Sequence, residues 1–241
     1  MHLDLATTSM LAGMALNETP DLSTLPPDEA RLVFSEINRS MPPGPQNVVS
    51  KDLEIPVDGA SITARLLTPS SNAKRLMIYF HGGGWVIGNI DDYDAVGRHL
   101  AEACQSVVVM VNYRKAPEHP FPTPVNDCYS ALEWINKNRA IVGGDSLPLV
   151  VAGDSAGGNL ATVVAMRARD ENGPHIDLQA LVYPVTDGAM AGSSWGDDDK
   201  QLFLTSDLMA HFWEHYADPA SRLNPMASPL HAKSLHNLPP A

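Results

Sequence analysis

The spacing of apolar residues along the chain changes near residue 75. Before it, VVSKDLEIPV and SITARLLTP alternate apolar and polar positions around the turn DGA, which predicts an antiparallel pair of strands. After it come four unbroken apolar runs, RLMIYF, SVVVMVNY, LPLVVAG and LQALVYPV, separated by helix-like segments. Because strands without polar positions are buried on both faces, the pattern predicts an α/β fold with a mostly parallel sheet between layers of helices.

Further helices are predicted before and after this region. Two helices are expected within residues 1–40, the second in LPPDEARLVFSEINRSM, and the breaker PPGP follows it. Beyond the fourth run, LTSDLMAHFWEHYA predicts an amphipathic helix capped by Thr205 or Ser206. We expect four parts: a helical segment over 1–45, an α/β core over 46–187, a second helical segment over 188–215 and an incomplete return to the core over 216–241.

Composition limits the classes of function. The chain has 241 residues, of which 44% are hydrophobic, which is enough for one large domain. Its net charge of −12 argues against binding nucleic acid or an anionic membrane through a basic patch. No apolar run approaches the length of a membrane span. The first lysine or arginine is Arg31, so the positive start of a secretory signal is missing and we expect a cytoplasmic protein.

The stretch VVAGDSAGGNLA carries a candidate nucleophile, Ser155. A serine attacks a carbonyl when a base takes its proton and a tight strand-to-helix turn presents its oxygen. That turn strains the serine backbone, so its neighbours two positions away must be small, as Gly153 and Gly157 are. The turn also places the N–H of Ala156 at a helix N-terminus, where it can stabilise an oxyanion. G-x-S-x-G also occurs by chance, but here an apolar run precedes it and a helical pattern follows.

A second motif, HGGGW at residues 81–85, directly follows RLMIYF. Consecutive glycines let the backbone turn two N–H groups toward one point, so Gly83 and Gly84 are candidates for an oxyanion hole. A phosphate-binding loop is excluded by spacing, because Asn89 and Ile90 stand where lysine and serine or threonine belong. The dinucleotide pattern G-x-G-x-x-G does not fit GGGWVIG either.

Together, HGGGW ahead of GDSAGG resembles the hormone-sensitive-lipase-like esterases, the bacterial family IV carboxylesterases of the α/β-hydrolase fold. The stretches VNYRKAPEHPFPTPVNDCYSALEWI and NPMASPLHAKSLHNLPPA are similar to that family at the corresponding places. The resemblance covers residues 40–241 well and the N-terminal helices more loosely. It implies a mostly parallel central sheet with helices on both faces, and a helical cap formed by the segments 1–45 and 188–215.

The resemblance also implies a chemistry. Ser155 would attack short to medium acyl esters through an acyl-enzyme, with Gly83, Gly84 and Ala156 as the oxyanion hole. A small-molecule ester is the expected partner, no metal or organic cofactor is implied, and a homodimer is compatible with the family. Five residues would shape the loops without reacting: His81, Gly82, Gly153, Asp154 and Gly157.

The resemblance implies a Ser–Asp–His triad, but its acid and base are not found at the positions that this fold requires. Both follow the serine in chain order, after later strands that would begin beyond LPPA, where the sequence stops. Asp187 follows a strand but matches the entrance to the cap. No histidine follows a late strand from which a loop could reach Ser155, so none is a good base. We therefore expect a fragment or incomplete record, without the C-terminal strands and helix and inactive by itself.

Apolar residues near the predicted site are candidates for a substrate pocket. Four apolar residues near the site or on the cap are candidates for the pocket or, equally, for the cap core: Trp85, Phe203, Met209 and Phe212. His211 and His215 have the i, i+4 spacing of a metal pair, but their glutamate is misplaced for H-E-x-x-H, so no metal site is expected.

Two other functions stay open. Plant gibberellin receptors resemble these esterases and lack the catalytic histidine, so a non-catalytic small-molecule receptor on the same fold is one alternative. An amide or lactone hydrolase with the same nucleophile is the other. Reaction of Ser155 with a fluorophosphonate separates a hydrolase from a receptor, and substrate profiling separates the hydrolases from one another.

Overall fold

The computed structural model describes residues 3–16, 19–192, 195 and 203–241. Within these ranges one sheet has the strand order β1-β2-β4-β3-β5-β6. β1 pairs antiparallel with β2 and β2 with β4, whereas the remaining neighbours are parallel. This confirms the predicted antiparallel pair and the mostly parallel sheet. The strands are β1 (Val49–Val57), β2 (Ala60–Thr68), β3 (Arg75–Phe80), β4 (Ser106–Val111), β5 (Leu149–Asp154) and β6 (Leu178–Val182).

Six α-helices lie in the described ranges. They are α1 (Leu5–Leu16), α2 (Pro27–Arg39), α3 (Asp94–Ala103), α4 (Thr123–Lys137), α5 (Ala156–Asp170) and α6 (Ser206–Tyr216). The two predicted N-terminal helices and the late amphipathic helix are confirmed. Thr205 caps α6, because its hydroxyl accepts a hydrogen bond from the N–H of Leu208 at 3.1 Å. The predicted segment 188–215 includes residues 193–194 and 196–202, which lie outside the described residues.

The sheet separates two apolar cores. Along β3, Leu76, Ile78 and Phe80 pack on the side of α4 and α5, whereas Met77 and Tyr79 pack on the side of α3. All five side chains are 5% exposed or less. Burial on both faces explains why β3 has no alternating polar positions.

Strand register brings the two sequence motifs together. β3 and β5 are parallel neighbours, and Phe80 at the end of β3 is paired with Gly153 in β5. The HGGGW loop and the GDSAG turn therefore begin side by side, at the carboxyl edge of the sheet where open α/β folds bind ligands.

The last part of the chain runs back along the sheet. After α6 the described residues contain one short 3-10 helix, Pro229–His231, and are otherwise irregular. The N–H of Gln179 in β6 donates to the carbonyl of Pro240 at 2.7 Å. None of the helices in the described ranges has the length and apolar character needed to span a bilayer.

A buried ion pair fixes α4 to the loop after β4. Asp127 is 1% exposed and accepts hydrogen bonds from the N–H, Nε and Nη2 of Arg114, at 3.0, 2.9 and 2.7 Å. The carboxylate stabilises the fold mainly because the Nε and N–H of Arg114 would lose their acceptor if it were removed, whereas Nη2 also donates to the carbonyl of Asp58 at 3.2 Å.

We expect Asp127→Ala to lower the free energy of unfolding by about 3 kcal/mol, because the Nε and the backbone N–H of Arg114 are left without an acceptor. Denaturant unfolding followed by tryptophan fluorescence measures the change. The control is Glu171→Ala, which breaks the exposed pair of Glu171 with Arg167 and should cost less than about 1 kcal/mol. Equal losses in the two variants would show that the Asp127 cluster adds nothing beyond a surface pair.

Candidate active site

The predicted nucleophile lies in a strained turn between β5 and α5. Ser155 has φ 52° and ψ −119°, a conformation that costs free energy for a residue with a side chain. Backbone hydrogen bonds hold it there: its N–H donates to the carbonyl of Val182 at 2.9 Å, and its carbonyl accepts from Val185 at 3.1 Å and Asn159 at 3.0 Å. The strand-to-helix turn expected from GDSAG is present.

The small residues of the motif are required by close approach. A Cβ added at Gly153 would collide with the backbone of Gly157, and one added at Gly157 would collide with the carbonyl of Phe80. The N-terminus of α5 therefore lies directly on the end of β3, which leaves no room for a side chain at either position.

The glycine loop adopts backbone angles at two positions that favour glycine. Gly83 and Gly84 have φ of 108° and 58°, which favour glycine. The carbonyl of Gly83 accepts from the N–H groups of Val86 and Ile87, at 3.0 and 2.9 Å. The N–H groups of Gly83 and Gly84 themselves have no acceptor among the residues that the structure describes. They are thus free to bind an oxygen of a ligand.

Asp154 joins the glycine loop to the serine turn. Its carboxylate is 7% exposed and accepts hydrogen bonds from the N–H of Gly82 at 2.9 Å, the hydroxyl of Tyr79 at 2.7 Å and that of Tyr93 at 3.2 Å. Burial raises the pKa of Asp154 above its usual value, although hydrogen bonds from Tyr79 and Gly82 act against this rise. Asp154 was expected to shape the loops, and it does so through a hydrogen bond that joins the GDSAG turn to the HGGGW loop.

His81 is buried beneath the glycine loop. Its Nδ1 lies 2.7 Å from the carbonyl of Gly82, and its ring stacks on Tyr113 with centroids 4.5 Å apart. Burial, with the charge of Lys115 as a second cause, lowers the pKa of His81 to about 3, so the ring is neutral near pH 7. His81 does not line the cavity that contains Ser155.

Ser155, Gly83 and Gly84 line one cavity of about 630 Å³. Asp154 lies in the same wall. Much of the apolar lining comes from α2, α6 and the residues before α6, and includes Phe34, Phe203, Leu208, Met209 and Phe212. Three of the four predicted pocket residues thus line the cavity.

Trp85 is the exception and corrects the pocket interpretation. It is fully buried and lies outside the cavity lining, with its ring stacked on Tyr216 of α6 at 4.0 Å. A Cβ on Gly84 would collide with the ring of Phe212, so α6 lies directly against the loop. Trp85 therefore packs into the contact between the loop and α6, the core position that the sequence had left as the alternative.

A histidine–carboxylate pair at the edge of the cavity was not predicted from the sequence. Asp187 lines the cavity, and its Oδ1 lies 2.9 Å from Nε2 of His231, although 44 positions separate them. Desolvation acts to raise the pKa of Asp187, but hydrogen bonds from Ala189 and His231 outweigh it and hold the pKa below its usual value. No sequence spacing signals this pair, because only the fold brings the segments together.

The remaining described histidines are not part of the cavity that contains Ser155. Among the described residues, no histidine lines the cavity with Ser155. His211 and His215 contact each other on α6 with ring centroids 4.5 Å apart. In the part of the chain that the structure describes, no cluster of three or more His, Cys, Asp or Glu side chains could hold a metal ion.

Comparison with known proteins agrees with this geometry. A family model described as the alpha/beta hydrolase fold matches residues 77–241. The chain is 42% identical to the carboxylesterase NlhH of Mycobacterium tuberculosis, over 58% of this chain and 44% of NlhH. It is 36% identical to the esterase LipI of the same organism, over 84% of this chain and 66% of LipI. The aligned part thus spans roughly half to two thirds of these relatives.

A solved structure matches the whole chain. The ester-hydrolase EH1AB1 from the metagenome of Lake Arreo, in complex with a bipyridine phosphonate derivative, superposes with a TM-score of 0.92 at 33% identity. The match covers 100% of this chain and 79% of that one. The chain belongs to the α/β-hydrolase fold family. The resemblance to its hormone-sensitive-lipase-like esterases, first seen in HGGGW and GDSAGG, is confirmed.

The buried His81 predicts a pH dependence of stability. Its pKa is about 3 in the folded protein and about 6.5 when unfolded, so between these values the unfolded chain binds more protons. We expect the free energy of unfolding to fall as pH drops below about 6.5, with His81 contributing up to about 1.4 kcal/mol per pH unit.

The contribution is measured by denaturant unfolding between pH 4 and 7. His81→Asn should have a shallower slope than the wild type, whatever its stability at pH 7. His99→Asn, a change at an exposed position, is the control and should keep the wild-type slope. If His81→Asn also keeps the wild-type slope, His81 is not the group responsible.

Proposed function

We propose that this protein is a carboxylic ester hydrolase in which Ser155 forms an acyl-enzyme from short to medium acyl esters. The observation that carries the proposal is the cavity itself, where a serine in a strained turn lies with two glycines whose N–H groups lack acceptors among the described residues. The names of the relatives, carboxylesterase, esterase and ester-hydrolase, support the same class of reaction.

The proposed reaction has two halves. Oγ of Ser155 attacks the ester carbonyl carbon while a base accepts the hydroxyl proton. N–H groups of Gly83, Gly84 and Ala156 stabilise the negative oxygen of the tetrahedral intermediate, and each such donor is worth about 10²–10³-fold in rate. The base returns its proton to the leaving alcohol as the acyl-enzyme forms. Water then attacks the acyl carbon, the base takes a proton from it, and the carboxylic acid leaves as Oγ is protonated again.

We further propose that the catalytic base is not one of the histidines that the structure describes. Support comes from the cavity lining, which includes no histidine among the described residues. We assign Asp187 and His231 a structural role instead. Beside this pair the N–H of Leu230 donates to the carbonyl of Thr186 at 3.0 Å, so both contacts hold the return segment against the cavity wall.

The same cavity lining favours one alternative, a non-catalytic receptor for a small apolar molecule. Apolar walls with a few polar groups suit ligand binding as well as catalysis. A receptor would bind without forming a covalent bond to Ser155, so covalent chemistry at that residue distinguishes the two functions.

The deciding experiment treats the full natural protein with a fluorophosphonate and measures the intact mass. We expect one phosphonyl group on Ser155 of the wild type and none on Ser155→Ala, whose ester hydrolysis should fall by about 10⁴-fold or more. Wild-type protein that binds small apolar esters but never labels would support the receptor instead.

His231→Asn is the matched variant for the origin of the base. We expect its labelling rate to stay within about threefold of the wild type, since His231 lies outside the cavity lining. Complete loss of labelling would assign the base to His231.

The substrate class is tested separately. Esters, an anilide and a lactone of equal acyl length, compared by kcat/KM, separate an esterase from an amide or lactone hydrolase.

A further inference from the structure

One arginine of α2 reaches across to the loop that follows the glycines. Arg31 donates from Nε to the carbonyl of Val86 at 2.9 Å and from Nη2 to that of Ala116 at 2.8 Å. Its Nη1 and Nη2 also bind the two carboxylate oxygens of Glu118, at 2.8 and 2.6 Å. Because the guanidinium group is planar and rigid, these four hydrogen bonds fix both its position and its orientation.

The carbonyl that Arg31 holds belongs to the glycine loop. The N–H of Val86 donates back to the carbonyl of Gly83 at 3.0 Å, so these two residues are the ends of one tight turn. The preceding carbonyl, that of Trp85, accepts from the N–H of Ala116 at 3.0 Å. Arg31 therefore binds both this turn, through Val86, and the loop after β4 that supports the turn, through Ala116.

The loop is held on two sides by different forces. On the side of α6, Phe212 lies against Gly84 and Tyr216 stacks on Trp85, and these contacts are apolar. On the side of α2, Arg31 supplies directed hydrogen bonds to Val86 and Ala116. Apolar packing sets a distance, whereas a bond to the carbonyl of Val86 also sets the angle of the peptide planes next to it.

We propose that Arg31 is a positioning residue, which acts through the carbonyl of Val86 to hold the N–H groups of Gly83 and Gly84 toward the substrate oxygen. This inference rests on the proposed function of the glycine loop. Helix α2 then has two roles: it holds the glycine loop through Arg31, and it lines the pocket through Phe34.

Geometry rather than charge is the source of the effect. The Arg31 and Glu118 side chains are 27% and 53% exposed, and ion pairs this exposed contribute little by themselves. Arg31 does lower the pKa of Glu118 to about 2, so the carboxylate is ionised at any pH used for assays. Glu118→Gln keeps one acceptor for Arg31 and should change the rate by less than about threefold.

The decisive variant is Arg31→Met, which keeps the length of the side chain and removes all of its donors. Misplacement of reacting groups by about 1 Å can cost about 10²-fold, so we expect kcat to fall by about 10- to 100-fold while KM stays within about threefold. Arg31→Lys should also lower kcat, because an ammonium cannot reproduce the fork, and it replaces Arg31→Met if that variant does not fold.

Arg98 supplies the matched control. It is also a partly buried arginine, bound to Asp94 at 2.6 Å and to the carbonyl of Val48 at 2.9 Å, but it has no contact with the glycine loop. Arg98→Met should lower thermal stability, because it loses these bonds, and leave kcat unchanged. An equal fall of kcat in both variants would show general destabilisation and overturn the proposal, as would a rise of KM alone in Arg31→Met.

Amide hydrogen exchange tests whether Arg31 holds the glycine loop, and it does not depend on catalysis. The N–H groups of Val86 and Ile87 should exchange at least about tenfold faster in Arg31→Met and at the wild-type rate in Arg98→Met. Unchanged exchange in Arg31→Met would overturn the proposal. If the wild type neither hydrolyses esters nor labels at Ser155, the proposed function fails, while exchange still decides whether Arg31 holds the loop.

Discussion

The buried carboxylate of Asp154 is the contact on which the site depends. It lies at the end of β5, next to Ser155, and accepts the N–H of Gly82 from the loop after β3. Burial of a carboxylate is costly unless donors surround it, and the hydroxyls of Tyr79 and Tyr93 complete the set. One side chain thus fixes the nucleophile turn relative to the glycine loop. The parallel register of β3 and β5 makes that contact short.

Elements outside the sheet complete the same site. Phe34 of α2 and Met209 of α6 line the cavity, and these two helices also contact the glycine loop and the residues that follow it. A pocket wall that also supports the loop couples substrate shape to loop geometry. Any movement of α2 or α6 would therefore change both the volume available to a substrate and the direction of the loop amides.

Residues 183–187 form a further side of the cavity, and the return segment holds them in place from outside the lining. Asn159 of α5, directly behind the serine turn, donates from Nδ2 to the carbonyls of Val185 and Ala227, both at 2.8 Å. The hydroxyl of Ser228 accepts from the N–H of Gly188 at 2.7 Å, close to the pair of Asp187 with His231. These hydrogen bonds connect residues 185–188 and 227–231 to each other and to the N-terminus of α5. They explain how irregular chain around residues 183–188 can hold a defined position beside Ser155.

Local patterns by themselves determined the fold class, the strand and helix segments and the two glycine-rich motifs. Continuous apolar runs and turn residues act over a few positions, so RLMIYF and GDSAG are informative in isolation. The sequence could not decide whether Trp85 lines the pocket or the core, because an apolar side chain suits both. Nor could it reveal the contact of Arg31 with Val86 or of His231 with Asp187. Those contacts join residues 55 and 44 positions apart, and only the packing of the whole chain sets which distant groups meet.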